Sequence, residues 1–485
     1  MKPFTTKALY TVAVTLTLAS CGGSGGSEGN VPLNDQASVQ GVLVIPESAD
    51  LVAQAALMPS LRQALQRNGN TNCPNVPDGY DPLSNASVSF VDNQGETVGN
   101  SFLTDECGEF NEVPGSTATG ITATSAGFRT LNSDLTLFTN AATPGIASTI
   151  ADTATYRIGA IQALSDQQIA FTVTDSVTNQ AVLGIPQDAF QVSLDDAPAT
   201  LDNLTVAAST NTAASTILTL DASFSMSGTA FDDPDTGESF NRYQLAARAA
   251  HTFLDQKSAN DEVATQLFSS NIFFMNQETI DDRLSLVDEL GADVQYTLST
   301  DGFVTDESRM RFVIDAYNRE SDFYSSGDDL RHPDSPSDIT ISNGYRFSGA
   351  TALYDAIGES IAILDNRGSE RPIVIAMTDG SNNSSARSEE EVIQEAIASN
   401  VPVFTIGFGG STRTDSLTRI AEQTGGTFFN VESIDISNAF QSIQTGIVFQ
   451  YISSLTAGGI DTAMTLGIAL DFNGLQIERT LTLTQ

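Results

Sequence analysis

The chain has 485 residues, with 60 acidic against 21 basic side chains and a formal charge of −39. That balance argues against nucleic acid as a partner, because phosphate neutralisation needs basic clusters. It suits solubility in salt, or attraction of divalent cations. The length exceeds one ordinary domain and implies two to four.

The first residues read as a targeting segment. Lys2 and Lys7 precede a mostly apolar stretch from Ala8 to Leu18, too short to span a bilayer. Leu18-Ala19-Ser20-Cys21-Gly22 then resembles a bacterial lipobox. The resemblance implies that Cys21 is acylated and becomes the mature N-terminus, anchoring the protein to a membrane. Gly22, rather than Asp, after the cysteine implies the outer membrane of a Gram-negative cell, on its periplasmic or its outer surface. A Gly/Ser-rich tether follows to Gly29. No later segment reads as a transmembrane helix.

From about Ser38 to Leu131 the pattern is mainly β. Ala86-Ser87-Val88-Ser89-Phe90-Val91 alternates with period two, and Asp92-Asn93-Gln94-Gly95 is a turn. Thr104-Asp105-Glu106-Cys107-Gly108-Glu109-Phe110, followed by Val113-Pro114-Gly115, resembles the carboxypeptidase regulatory-like β-sandwich. That resemblance implies a spacer or adhesion module. Cys73 and Cys107 lie in this part of an exported chain, so a disulfide between them is expected. His251 and His332 lack the spacing of a zinc site and read as structural.

A second β segment runs from about Gln167 to Val206, with the alternating stretch Ile169 to Asp175 and the strand-like Ala189 to Leu194. It is similar to immunoglobulin-like strands but too short to close a sandwich. The C-terminus has a surplus: Met464–Asp471 and Leu475–Thr484 flank Asn473-Gly474, a hairpin signal. The two pieces are expected to meet as one discontinuous sandwich.

Between them, strand and helix patterns alternate. Apolar runs fall at Thr216–Leu220, Val263–Phe268, Ile373–Met377 and Val401–Ile406. Helical stripes include Tyr243, Ala246, Ala247, Ala250 and Phe253, and then Leu353, Ile357, Ile361 and Leu364. Ser388 to Glu391 forms a capping box. Alternating βα units imply a doubly wound, mostly parallel sheet, whose ligands bind beyond the carboxyl ends of the strands.

Asp221 and Asp379 fall at such strand ends. Together with Ser223, Ser225 and Thr351 they form a set of small oxygen donors, the kind that suits a hard divalent cation. Asp221-x-Ser223-x-Ser225, Thr351 and Asp379 resemble the metal-ion-dependent adhesion site of the von Willebrand factor A family. Thr378-Asp379-Gly380, Ile406-Gly407-Phe408-Gly409 and Ala421 to Thr427 extend the likeness from about Asn211 to Phe449. The resemblance implies Mg²⁺ or Mn²⁺ held directly by Ser223 and Ser225. Thr351 would bind it directly or through water, and Asp221 and Asp379 would often act through water. Few carboxylates then touch the metal, so it can accept a carboxylate from a protein partner. Asp233 and Asp235 could hold Ca²⁺ or belong to a solvated acidic loop. Asp301 to Phe347 is longer than a crossover needs and either borders the metal face or is an inert insertion.

The expected organisation is a signal peptide (1–21), a flexible linker (22–37) and a carboxypeptidase regulatory-like β-sandwich (38–135). A linker (136–160), an immunoglobulin-like sandwich in two pieces (161–210 and 450–485) and a von Willebrand factor A-like domain (211–449) follow. The function expected is adhesion or scaffolding from a lipid anchor, or a subunit of an envelope assembly machine. A hydrolase is the reading from another class. It is disfavoured because no Gly-x-Ser-x-Gly elbow follows a predicted strand and no phosphate loop is present.

Overall fold

The computed structural model describes residues 38–46, 73–77, 79–139, 143–207, 212–227, 230–232, 239–283, 285–287, 297–318, 340–343, 349–408, 414–431, 436–456, 460 and 464–483. Cys21, Asp233, Asp235 and His332 lie outside the described residues.

Two four-stranded sheets open the described chain. In the first, β1 (Val39–Pro46) pairs antiparallel with β2 (Tyr80–Pro82) and β5 (Glu109–Glu112), and parallel with β8 (Gly145–Ser148). In the second, the order is β4 (Thr97–Leu103), β3 (Ser87–Val91), β6 (Gly120–Thr124), β7 (Leu131–Asp134). Two aspartates shape the hairpin turns. Asp92 Oδ1 accepts from the backbone N–H groups of Gln94 (2.9 Å) and Glu96 (3.0 Å). Asp105 Oδ1 accepts from those of Cys107 (2.9 Å) and Glu109 (2.8 Å). Gly108 follows with φ of 70°, and a Cβ there would lie 2.3 Å from the Leu43 carbonyl oxygen. Only glycine fits both demands. Cys73 and Cys107 are joined, with Cα atoms 5.4 Å apart across 34 residues. Closing a loop of that length stabilises by about 4 kcal/mol in the chain-entropy picture.

Of the stretch 136–160, read from sequence as a linker, the described residues 136–139 and 143–160 are part of the fold. Phe138 is fully buried, its ring 5.4 Å from that of Phe110. β8 adds to β1, and β9 (Tyr156–Ser165) begins before the stretch ends. Four residues of Gly145-Ile146-Ala147-Ser148 are too few for a period to show.

The next two sheets each combine strands from both ends of the chain. One has the order β13 (Leu201–Val206), β24 (Tyr451–Leu455), β10 (Gln168–Asp175), β9. The other has the order β12 (Ala197–Ala199), β11 (Phe190–Leu194), β25 (Met464–Phe472), β26 (Leu475–Leu483). Phe171, Phe190 and Tyr451 pack together, with ring centroids 5.1 to 5.7 Å apart. Most buried residues of these sheets and of the first two form one continuous cluster, from Val39 and Phe90 to Ile468 and Phe472.

The remaining large sheet has six strands in the order β18 (Ile272–Phe274), β17 (Glu262–Phe268), β14 (Ala214–Asp221), β21 (Arg371–Thr378), β22 (Val403–Phe408), β23 (Phe428–Val431). All pairs are parallel except the β17–β18 edge. β14, β21 and β22 are buried along their whole length. That is why their sequences are continuous apolar runs rather than alternating ones. On one face lie α1 (Arg242–Gln256), α3 (Glu307–Asn318) and α7 (Ile436–Val448). On the other lie α4 (Leu353–Arg367), α5 (Glu389–Ala398) and α6 (Thr414–Gln423). Short elements complete the description: α2 (Gln277–Arg283), the pair β15 (Ala230–Asp232) with β16 (Ser239–Asn241), and the pair β19 (Ser285–Val287) with β20 (Thr340–Asn343). The sequence segment beginning at Asp301 is thus no inert insertion in its first part. Met310, Phe312, Val313 and Ile314 on α3 enter the core.

The base of the parallel sheet is tied to the sandwich. Arg371, almost fully buried, donates to the carbonyls of Ile447 (2.7 Å) and Thr212 (2.8 Å) and to Gln450 Oε1 (3.2 Å). Gln450 Nε2 in turn donates to the Ala160 carbonyl (2.9 Å), and Gln162 Nε2 to that of Pro372 (2.9 Å). These bonds satisfy backbone groups that would otherwise be buried without partners.

Candidate functional site

β14 sits mid-sheet, with β17 on one side and β21 on the other. Chain direction therefore diverges at the carboxyl ends of β14 and β21, which opens the crevice where such sheets bind ligands. Asp221 is the last residue of β14, and Asp379 follows the last residue of β21.

Asp221 is fully buried and bonded through both oxygens. Oδ1 accepts from the Ser223 backbone N–H (2.8 Å), and Oδ2 accepts from Thr378 Oγ1 (2.6 Å). The first bond turns the chain after β14. A short 3₁₀ turn, Phe224–Ser227, follows, held by Met226 N–H donating to the Ser223 carbonyl (3.1 Å). This places Ser223 Oγ 3.0 Å from Ser225 Oγ. Ser225 Oγ donates to Asp379 Oδ1 (2.7 Å). The other Asp379 oxygen, Oδ2, is ion-paired with Arg242, the first residue of α1.

Thr351 arrives from the loop before α4. Its N–H donates to Asn383 Oδ1 (2.8 Å), and its carbonyl accepts from the N–H groups of Asn383 (3.0 Å) and Ser384 (3.2 Å). A methyl group on Gly380 would lie 3.6 Å from Thr351 Oγ1 and 3.8 Å from Ser225 Oγ, so both hydroxyls converge on that glycine. All five residues singled out by sequence are brought to one place. Asp221, Ser223, Thr351 and Asp379 are buried, while Ser225 is exposed. Phe224, between Ser223 and Ser225, is 63% exposed.

Sequence reasoning missed Arg242, Thr378 and Asn383 as site residues. Thr378 lay inside the quoted Thr-Asp-Gly motif. Nothing in the pattern around Arg242 marked it, since it only opens a helical stripe.

Burial, and then the neighbouring Asp379, push the Asp221 carboxyl up to about 6, against the opposing hydrogen bonds from Thr378 and Ser223. A cation would relieve that cost. The donor set suits one. Six ligands at about 2.1 Å around Mg²⁺ put adjacent oxygens about 3.0 Å apart, which is the Ser223–Ser225 separation. A hydroxyl that gives a lone pair to a cation must point its proton elsewhere, and Ser225 points its own at Asp379. Among the described residues no three His, Cys, Asp or Glu side chains gather as a metal cluster. A cation here would rely on hydroxyls, with Asp221 and Asp379 orienting them.

The fold agrees with comparison to known families. Residues 337–445 match the von Willebrand factor type A domain. The matched span holds Thr351 and Asp379. The segment from Asp221 to Ser225 lies before it, at the carboxyl end of β14 in the same sheet. The chain therefore combines a von Willebrand factor A-type α/β domain with β-sheet-rich regions.

Several solved structures are similar. A von Willebrand factor type A protein from Catenulispora acidiphila is 11% identical, over 68% of this chain and 73% of that one, with a TM-score of 0.34. Proximal thread matrix protein 1 from the mussel byssus, solved with a zinc-occupied metal-ion-dependent adhesion motif, is 17% identical. The likeness covers 52% of this chain and 48% of that one, with a TM-score of 0.33. The conserved hypothetical protein BatB from Bacteroides thetaiotaomicron is 15% identical, over 48% of this chain and 96% of that one, with a TM-score of 0.31. No curated protein matches the chain.

Proposed function

We propose that the chain is a binding protein, not an enzyme, which uses the A-domain site to hold Mg²⁺ or Mn²⁺ and to capture a carboxylate of a protein partner. Ser223, Ser225 and Thr351 supply neutral oxygens. Asp221 and Asp379 orient them from behind. The single observation that carries this is the hydroxyl pair Ser223–Ser225, set 3.0 Å apart at the mouth of a strand-end crevice and backed by two buried carboxylates. A metal held mainly by neutral ligands keeps its attraction for anions, so an outside carboxylate can complete its shell. Exposed Phe224, between the two serines, offers that partner an apolar contact. The β-rich part then serves as a stalk.

A test of this reading is capture of envelope proteins by the full chain in Mg²⁺, with release by EDTA. Amidation of the extract's carboxylates before mixing is expected to abolish capture. Capture that survives both treatments would remove the metal-bridged carboxylate from consideration.

We further propose that Cys21 anchors the protein to the outer membrane as an acylated N-terminus, on the strength of Leu18-Ala19-Ser20-Cys21. Among the described residues no helix is long and apolar enough to cross a membrane. The variant Cys21→Ser is expected to lose incorporation of labelled fatty acid; labelling equal to the native chain would rule the anchor out. Adhesion at the surface and docking within the envelope both remain compatible with this placement, and protease access in intact cells separates them.

A further inference from the structure

Arg242 is ion-paired with Asp379, one of the two buried carboxylates of this site. Its backbone is fixed by a capping box, in which the Asn241 N–H donates to Gln244 Oε1 (2.8 Å) at the start of α1. Its side chain is 15% exposed, and the Asp379 side chain it pairs with is fully buried. The guanidinium is therefore turned inward, away from solvent. Arg242 Nε is itself buried and has no hydrogen-bond partner among the described residues. A charged group turned inward at this desolvation cost asks for a reason.

We propose that Arg242 is a built-in counter-cation that sets the strength of metal binding at this site. The inference rests on the metal-site reading above. Asp221 and Asp379 place two negative charges behind the hydroxyls. Alone they would neutralise a divalent cation and weaken its pull on an outside carboxylate. With Arg242 paired to Asp379, the loaded site keeps a net positive charge. The cation is then held less tightly, and a partner's carboxylate is held more tightly. Without metal, the same ion pair keeps Asp379 compensated, so the crevice does not depend on the cation to stay folded. Arg242 is thus a positioning and tuning residue that acts through Asp379.

The test is calorimetric titration of the full chain with Mg²⁺ alone, comparing the native protein with Arg242→Gln and Arg242→Lys. The glutamine keeps a donor for Asp379 but removes the charge. The lysine keeps the charge and loses the fork. Arg242→Gln is expected to bind Mg²⁺ about tenfold more tightly, and Arg242→Lys within about threefold of the native chain. Thermal unfolding in EDTA is expected to show Arg242→Gln melting below both other proteins. A merely structural role would weaken Mg²⁺ binding in both variants, and that outcome overturns the proposal. So does equal affinity in native and glutamine proteins. A native chain that binds no Mg²⁺ would overturn the metal reading itself, and this inference with it.

Discussion

Replacing Asp221 by alanine is expected to remove most divalent-cation binding from the full chain. Asp221 is proposed to touch the metal through water, but it fixes the groups around it. Its two oxygens hold the Ser223 N–H and the Thr378 hydroxyl. Without them the Ser223–Ser225 pair loses the turn that sets its spacing, and loss of such orienting groups costs about 10- to 100-fold in metal affinity. The removed charge adds to that loss, so the upper end or beyond is expected. Stability should behave differently. The folded-state pKa of about 6 lies above the ordinary aspartate value of 3.8. The unfolded chain therefore releases this proton first, and the group lowers stability as pH rises from about 4 to about 6. Above that range the metal-free native protein carries a buried charge that alanine would remove, while Thr378 Oγ1 keeps a second acceptor in the Gly380 carbonyl (3.2 Å). The variant is expected to stay folded in EDTA and to melt close to the native chain. Calorimetry with Mg²⁺ and thermal unfolding in EDTA check the two halves separately. Unchanged Mg²⁺ affinity would sink the assignment of the site.

What the sequence disclosed and what it hid divide along physical lines. β14, β21 and β22 announced themselves because strands covered on both faces are rich in apolar residues and do not alternate. Their carboxyl ends then located Asp221 and Asp379 without any knowledge of side-chain positions. Thr351 was harder, since it belongs to a loop and becomes meaningful only when Asn383 and Ser384 clamp it beside Gly380. Arg242 was invisible. Its role depends on where the N-terminus of α1 meets the strand-end crevice, and no local periodicity records that meeting. β8 was missed for a simpler reason: its four residues gain their place only by adding to β1 from outside. His251, read as structural, bonds to Asp315 (3.0 Å) in a buried contact between α1 and α3.

Ending the chain after Gln450 is expected to unfold the sandwich that begins some 290 residues earlier. The strands upstream, β9 to β13, lack a centre of their own. β24 lies between β13 and β10, and β25 lies between β11 and β26. Removing them leaves β10, β11 and β13 with open edges facing the gap. Tyr451, Ile452, Leu455, Leu466, Ile468, Leu470 and Phe472 would go with them, all buried. At about 1.5–3 kcal/mol for each buried side chain the loss is about 10–20 kcal/mol. That matches or exceeds the whole net stability of an ordinary domain, about 5–15 kcal/mol. The Tyr451 hydroxyl adds to this, since it donates to the Val182 carbonyl (2.9 Å) and accepts from the Ile185 N–H (3.1 Å). The A-domain sheet keeps its helices on both faces and its own buried clusters. It loses its footing, where Gln450 bonds to the Ala160 carbonyl on β9, and the bond from Arg479 to the Glu422 carbonyl on α6 (2.6 Å). Hydrogen exchange of the truncated chain is therefore expected to show fast exchange through β9, β10, β11 and β13, with β14, β21 and β22 still protected. Slow exchange retained in β10 and β11 would mean that the upstream strands close a core without their C-terminal partners, and the two-ended sandwich would then be a contact rather than a folding unit.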